Sequence, residues 1–85
     1  MSYEVVWAPT AERQLAAVGT VAADRNAVTT ASAWLDARLA ADPLRFGTPT
    51  DSSVHRSGSS DILGVEFEVI EGDKRVIVHG VFAVG

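Results

Sequence analysis

The stretch Gly64-Val-Glu-Phe-Glu-Val-Ile-Glu-Gly-Asp-Lys-Arg-Val-Ile-Val-His-Gly-Val-Phe-Ala-Val-Gly85 places two apolar segments on either side of a polar turn. Apolar and acidic residues alternate from Val65 to Val69, which is typical of a strand with one buried and one solvated face. The second segment is almost continuously apolar, which favours an interior strand with most of each face covered by helices or by a partner. Gly80 within it predicts a bulge or a close backbone approach. Gly72 can adopt the positive φ that tight hairpin turns require. The stretch therefore predicts a β-hairpin at the centre of a sheet.

The N-terminal part of the chain predicts a short strand followed by a helix. The alternation in Tyr3–Trp7 is typical of a strand, and Pro9 ends it because proline supplies no N–H to a ladder. Proline also suits the first turn of a helix, which we expect to extend to about Val18 with Gly19 as its C-terminal cap. The apolar stripe of this helix consists of Ala11, Leu15 and Val18.

A second helix is predicted from Asp24, a favourable N-cap residue, to about Ala41. It ends there because the residue before a proline, here Pro43, is pushed out of the α region. With the first helix it forms an αα-hairpin. Its apolar stripe consists of Val28, Ala31, Leu35 and Leu39, with Trp34 at the side.

Residues 44–61 are rich in Gly, Pro, Ser, Thr and Asp. Phe46–Pro49 predicts a tethered loop, Asp51–Arg56 a strand and Ser57–Asp61 a flexible turn. The complete order is β-α-α-β-β-β. It predicts a single α+β domain over residues 1–85, with a small antiparallel-rich sheet and the two-helix hairpin packed on one face.

Composition limits the classes of partner. Seven Lys and Arg residues are scattered along a chain of net charge −4, so the dense basic face of a nucleic-acid-binding protein is not expected. The lack of cysteine excludes disulfides and thiolate metal sites. The sequence has neither a signal peptide nor an apolar run of membrane-spanning length, so we expect a cytoplasmic protein with no membrane contact. Hydrophobic residues make up 47% of the 85 residues, which favours a homodimer or a protein partner that covers apolar surface.

The two histidines, His55 and His79, are candidates for general acid–base catalysis because imidazole titrates near neutrality. The alternative is that each is a half-buried strand residue with a backbone partner. Arg56 could join Arg45 and Arg75 in a small phosphate site, although Arg75 follows a turn and is expected to be exposed. The residues alone therefore give candidates and no assigned catalytic set.

Glu66 and Glu68 share one face of a predicted strand, where two carboxylates could hold a metal ion or act as a glycosidase-like pair. Further ligands do not follow at a recognisable spacing. The sequence therefore predicts no metal site and no cofactor, and a solvated strand face is favoured. Trp7 and Trp34 could stack on bases, but their spacings favour positions in the core.

Four motifs occur along the chain in a recognisable order. Tyr3–Leu15 combines a strand, a small residue and the Ala and Leu of a first helix, and Leu35–Gly47 combines a second helix with a following proline and glycine. Arg56-Ser-Gly58 precedes a predicted strand, and Val65–Gly85 forms the closing hairpin with its terminal Ala-Val-Gly. In order and spacing these motifs resemble the RelE/ParE toxin superfamily of bacterial toxin–antitoxin systems over nearly the whole chain.

The resemblance implies a toxin fold and an antitoxin partner. In ribonuclease members it implies basic residues on the sheet, among which Arg56 matches a family position, and a tail after the last strand. Where an arginine is typical, this chain has Glu66, and the sequence ends at Gly85. Phosphate-ester cleavage builds negative charge that a carboxylate does not stabilise. We therefore expect a catalytically degenerate toxin fold that acts by protein binding.

Two alternatives stay open. One is an active toxin neutralised by an antitoxin, either an mRNA endonuclease that contacts RNA on the ribosome or a gyrase inhibitor. The other is a self-associating structural module that dimerises through Val76–Val84. In the case of an active toxin, the antitoxin would cover the sheet and the helical groove by adding a strand or by laying a helix in the groove.

Overall fold

The computed structural model describes residues 2–51 and 55–84. The elements are β1 (Glu4–Trp7), α1 (Pro9–Val21), α2 (Arg25–Ala41), β2 (Thr48–Pro49), β3 (His55–Ser59), β4 (Leu63–Ile70) and β5 (Arg75–Ala83). The strands form one sheet in the order β1-β5-β4-β3-β2, in which β1 is parallel to β5 and the other neighbours are antiparallel. The predicted α+β fold, with both helices on one face of a mostly antiparallel sheet, is confirmed.

The hairpin of β4 and β5 lies at the centre of the sheet, as predicted. Because Ile70 pairs with Arg75, its turn has four residues, and turns of this length are built around type I geometry rather than the two-residue geometry that needs glycine. The positive φ expected at Gly72 is therefore wrong, and Lys74 has a φ of 51° instead. The Lys74 ammonium lies 5.1 Å from the ring centroid of Tyr3, a cation–π contact that holds the turn against the start of the chain.

The irregularity predicted at Gly80 is a β-bulge. Glu66 pairs with Gly80 and Phe67 pairs with Val78, so His79 is an extra residue of β5 with no partner in the β4 register. The bulge shifts the pairing by one residue without ending the strand.

Helix α1 lies along the part of β5 that β1 does not reach. The parallel pairing of β1 ends where Trp7 meets Val78. Beyond that point, Gln14 Oε1 accepts a hydrogen bond of 2.8 Å from the N–H of Val81. The side chain of Gln14 thus takes the place of a strand at this edge and fixes α1 next to the bulge.

Helix α1 is longer than predicted. It continues through Gly19 to Val21 and is capped by Ala22, so the predicted cap at Gly19 is wrong. Within this last turn the hydroxyl of Thr20 donates a hydrogen bond of 2.9 Å to the carbonyl of Ala16. A glycine in a helix interior costs only about 0.5–1 kcal/mol, so one glycine does not end an otherwise supported helix.

Helix α2 has the predicted ends. Asp24 is its N-cap, and the carboxylate accepts a hydrogen bond of 3.1 Å from the N–H of Ala27. The N–H of Asp42, the last cap residue, donates to the carbonyl of Arg38. None of the helices in the described ranges has the length and apolar character needed to cross a membrane.

The core lies between the two helices and one face of the sheet. Both predicted helical stripes point into it: Ala11, Leu35 and Leu39 are fully buried, and Leu15 and Val18 pack at its margin. Each large apolar side chain buried in this way contributes roughly 1.5–3 kcal/mol. The sheet supplies Leu63, Val65, Phe67, Val69, Val76, Val78 and Val81.

Of the two tryptophans predicted to lie in the core, Trp7 packs at its margin and Trp34 lies outside it. Trp34 is 46% exposed and meets the ring of Phe46 edge-on at 5.8 Å. Trp7 packs partly against the core, and its indole N–H donates a hydrogen bond of 2.8 Å to Asp36 Oδ1. The core prediction is therefore wrong for Trp34, because α2 turns this side chain to the flank of its buried stripe.

The other face of the sheet, opposite the helices, is here called the open face and includes Glu66, Glu68, Ile77 and His79. Glu66 and His79 are exposed, and Ile77 is half-buried. Phe82 on β5 is 39% exposed. The helices therefore cover only one face of β5, because both pack on the same side, and cover of the other face by a partner stays a prediction.

Strand β3 covers residues predicted to form a turn. Ser57 pairs with Glu66 and Gly58 with Val65, so the turn begins only after Ser59. The predicted loop Phe46–Pro49 likewise contains β2, which pairs with β3. Pairing with a neighbouring strand outweighs the local turn preference of Gly and Ser. Of the strand predicted over residues 51–56, positions 52–54 lie outside the described residues.

A substitution at Gly47 tests the backbone conformation of the connection between α2 and β2. It has a φ of +78°, and a Cβ at this position would lie against the backbone carbonyl of Ser57. We expect Gly47→Ala to lower the free energy of unfolding by at least about 2 kcal/mol, measured by urea denaturation.

The matched control is Gly19→Ala, which places the same methyl group in open space within α1. We expect this variant to be more stable than the wild type by about 0.5–1 kcal/mol. Equal stability of the two variants would contradict the loop geometry described for Gly47.

Candidate functional site

Three adjacent strands bring His55, Glu68 and His79 together on the open face. His55 of β3 is directly opposite Glu68 of β4. Nε2 of His79 on β5 lies 2.9 Å from Oε1 of Glu68. The two imidazole rings approach with their centroids 5.9 Å apart. Both candidate histidines therefore belong to one cluster, centred on a glutamate.

The bulge in β5 contributes to this arrangement. Neighbouring strands are about 4.8 Å apart, so side chains from β3 and β5 can meet only above the strand between them. His79 is the extra residue of the bulge, and bulges commonly re-aim a side chain in this way. The diagonal position of His79 relative to Glu68 lets the imidazole lie over the central strand.

The cluster lies in a pocket of about 370 Å³, here called the histidine pocket. Its charge is mainly negative, because Asp51 and Glu66 line it together with Glu68. Glu68 and His79 keep 27% and 46% of their side-chain surface exposed, so solvent and solutes reach them. The remaining lining residues are Gln14, Thr50, Arg56, Phe67 and Gly80.

Arg56 lines the pocket but directs its charge elsewhere. It is opposite Phe67, whose side chain is buried under the helices, so the Arg56 side chain leaves the sheet on the helix side. Its Nη2 donates hydrogen bonds of 2.8 Å to the carbonyl of Leu44 and 3.3 Å to that of Gly47. Arg56 thus holds the connection between α2 and β2 and is not part of the histidine cluster.

The other two arginines of the predicted phosphate site have separate partners. Arg45 forms a long ion pair of 3.7 Å with Asp42. Arg75 forms one of 3.1 Å with Glu4, next to the hairpin turn. Each arginine is therefore engaged by a different group of oxygen atoms.

The sequence did not predict that Glu68 lies between the two histidines. It grouped Glu68 with Glu66, because the two share a strand face. In the structure Glu66 is opposite Gly80, whereas Glu68 contacts His79. The signal that could have found this cluster is the register of β3 against β4, which pairs His55 with Glu68.

Comparisons with known proteins bear on the fold. No family model matches the sequence, and no curated protein matches it. Among solved structures, the toxin–antitoxin complex RelBE2 from Mycobacterium tuberculosis contains a chain similar to this one with a TM-score of 0.81. The two chains are 18% identical, and the match covers 98% of this chain and 92% of the other.

This chain shares the fold of that chain of the RelBE2 complex. The resemblance inferred from the order of its motifs is therefore confirmed for the fold. This fold places the histidine pocket on the open face of the sheet, where the helices leave the side chains accessible.

Arg56 provides a test of the site geometry. Arg56→Ala removes a cationic donor from two loop carbonyls, and we expect it to lower the free energy of unfolding by about 1–3 kcal/mol. Urea denaturation of the purified variant measures this loss.

Arg45→Ala is the control, because the Arg45 side chain is 86% exposed and its ion pair is long. Its effect should stay below about 0.5 kcal/mol. If Arg56→Ala were as stable as the control, the assignment of Arg56 to loop anchoring would be wrong.

Proposed function

We propose that this chain is the toxin-fold partner of an antitoxin and acts through protein–protein contact rather than by cutting RNA. The observation that carries the proposal of action without RNA cleavage is the charge of the histidine pocket. Three carboxylates line this pocket, and the arginine in its lining donates hydrogen bonds to loop carbonyls. The proposal of an antitoxin partner is supported by the similarity of nearly the whole chain to a chain of a structure solved as a toxin–antitoxin complex.

The charge argument follows from the chemistry of phosphate esters. Their cleavage concentrates negative charge on the transferred group, and active sites stabilise it with cations or directed N–H groups. Asp51, Glu66 and Glu68 would repel a phosphate in this pocket. A protein that uses its surface for binding has no such requirement.

The groove between α2 and the β3–β4 turn is the surface that best fits an antitoxin segment. It has a volume of about 620 Å³ and an apolar floor that includes Ala27, Ala31 and Ile62. Trp34 at its side is 46% exposed, and aromatic residues of this kind are frequent anchors of interfaces. An amphipathic antitoxin helix would place its apolar face in this groove.

The rim of the groove indicates the charge of that helix. Asp24 and Asp61 lie at its margin, and both side chains are exposed. Basic residues on the flank of an antitoxin helix would complement these carboxylates and accelerate association.

Thr30→Arg tests the groove. Thr30 is exposed on the groove side of α2, so a bulky charged side chain there should weaken binding of the proposed antitoxin by at least about tenfold. Isothermal titration calorimetry with the purified antitoxin measures the change.

Thr29→Arg is the matched control. Thr29 is the adjacent exposed threonine but lies on the flank of α2 that faces α1. We expect its affinity to stay within about threefold of the wild type. Equal weakening by both substitutions, or by neither, would move the antitoxin away from this groove.

A second candidate function is an active ribonuclease toxin. The observation in its favour is the contact between His79 and Glu68, with His55 nearby, since a carboxylate that orients an imidazole is a common general acid–base arrangement. This candidate requires the pocket to bind RNA despite its carboxylates.

Expression in bacteria separates the two functions. We expect the intact chain, produced without an antitoxin, to leave growth unchanged and to leave ribosome-bound mRNA uncut, because the one arginine among the described lining residues donates to loop carbonyls rather than toward a phosphate. Growth curves and primer extension on a reporter mRNA provide the readouts, with an active RelE-type nuclease as the positive control.

The variant His79→Ala makes the outcome interpretable. Growth arrest with mRNA cleavage that disappears in His79→Ala would establish the ribonuclease and refute action by binding alone. Arrest without cleavage, unchanged in His79→Ala, would agree with toxicity through protein contact.

A further inference from the structure

We propose that His55, Glu68 and His79 bind a divalent transition cation of the zinc type in the histidine pocket. One imidazole nitrogen from each histidine and one carboxylate oxygen all lie within 4.8 Å of one another. This proposal is independent of the antitoxin and of toxicity, because it depends only on the side chains of three neighbouring strands.

The distances are close to those of a coordination sphere. Two ligands bound at about 2.0–2.2 Å to a tetrahedral zinc ion lie roughly 3.3–3.6 Å apart. Nε2 of His79 and Oε1 of Glu68 are already 2.9 Å apart, so a bound ion would separate them only slightly. The widest gap in the cluster closes with a movement of at most roughly 1.5 Å.

The backbone holds the three ligands while their side chains can still adjust. His55 and Glu68 are a directly opposed pair across β3 and β4, and the bulge fixes His79 on β5. The side chains of His79 and Glu68 are partly exposed, so small rotations about their χ angles meet little packing resistance. Three protein ligands on an accessible face leave a fourth position for water.

The ligand types select the class of ion. Two imidazole nitrogens with one carboxylate suit Zn²⁺, Co²⁺, Ni²⁺ and Cu²⁺, whereas Mg²⁺ and Ca²⁺ prefer oxygen ligands alone. The charge of the surroundings favours a cation, because Asp51 and Glu66 line the same pocket. Arg56, the cation of that lining, donates to loop carbonyls rather than toward the cluster.

The competing interpretation is a plain hydrogen bond between His79 and Glu68, with His55 as a neighbour and no ion. It accounts for the 2.9 Å contact equally well. It differs in its consequence, since a hydrogen-bonded pair alone gives no stoichiometric metal binding. Metal titration therefore separates the two interpretations.

The test uses the full chain without an affinity tag, treated with a chelator and then exchanged into metal-free buffer near neutral pH. Titration with zinc chloride in a calorimeter should give one bound ion per chain with a dissociation constant in the micromolar range. Cobalt chloride should produce the visible absorption bands of a four-coordinate Co²⁺ site, and magnesium chloride should give no binding. A zinc dissociation constant above the millimolar range would refute the site.

Variants assign the ligands. We expect His55→Gln, Glu68→Gln and His79→Gln each to weaken zinc binding at least about tenfold, since loss of even indirect partners of metal ligands costs 10–100-fold. The matched control is Glu71→Gln, which removes the same charge in the exposed hairpin turn and should stay within about threefold of the wild type. Affinity that survives all three ligand substitutions would place any bound ion elsewhere on the chain.

Two further readouts do not depend on the variants. The chain has two histidines, so zinc should shift the imidazole ring-nitrogen NMR signals of both together. A shift of one or neither would refute the shared site. Zinc should also raise the melting temperature of the wild type, because it binds the folded state, and this rise should be lost in His79→Gln.

Discussion

The antiparallel pairing of β4 with β5 is the constraint on which the rest of the structure depends. Strand β5 provides the edge to which β1 adds in parallel, and β4 provides the edge to which β3 and then β2 add. The apolar residues on one face of this pair form the floor on which both helices pack. If the register of the pair moved by one residue throughout, the buried valines and the exposed carboxylates would exchange faces.

The same two strands therefore determine both the core and the site. Val65 and Phe67 point into the core. Glu66 and Glu68, which alternate with them along β4, point to the open face. The bulge changes this alternation at a single place and leaves His79 over the central strand. The side chains of the open face are therefore those that strand alternation places there, together with the histidine that the bulge adds.

The fold was largely predictable because its signals are local. Asp24 caps α2 through a residue three positions away, and the alternation in β4 covers neighbouring residues. One prediction failed at α1, which continues past Gly19 because a single glycine costs too little to end a helix. Others failed where a distant partner decides the outcome: β3 extends over Gly58 because β4 pairs with it. The site belongs to this second kind, since its residues are distant in sequence and converge only when the register is known.

The parallel pairing of β1 with β5 has a consequence for synthesis of the protein. Glu4 and Arg75 are 71 positions apart, yet their strands are neighbours, and the N–H of Glu4 donates to the carbonyl of Lys74. On the ribosome, the first strand must therefore wait as an unpaired segment until the last strand has been translated and released from the exit tunnel. Chains rich in such distant contacts fold slowly, so the newly made protein passes through a period in which its sheet is incomplete and other chains can bind its uncovered strands.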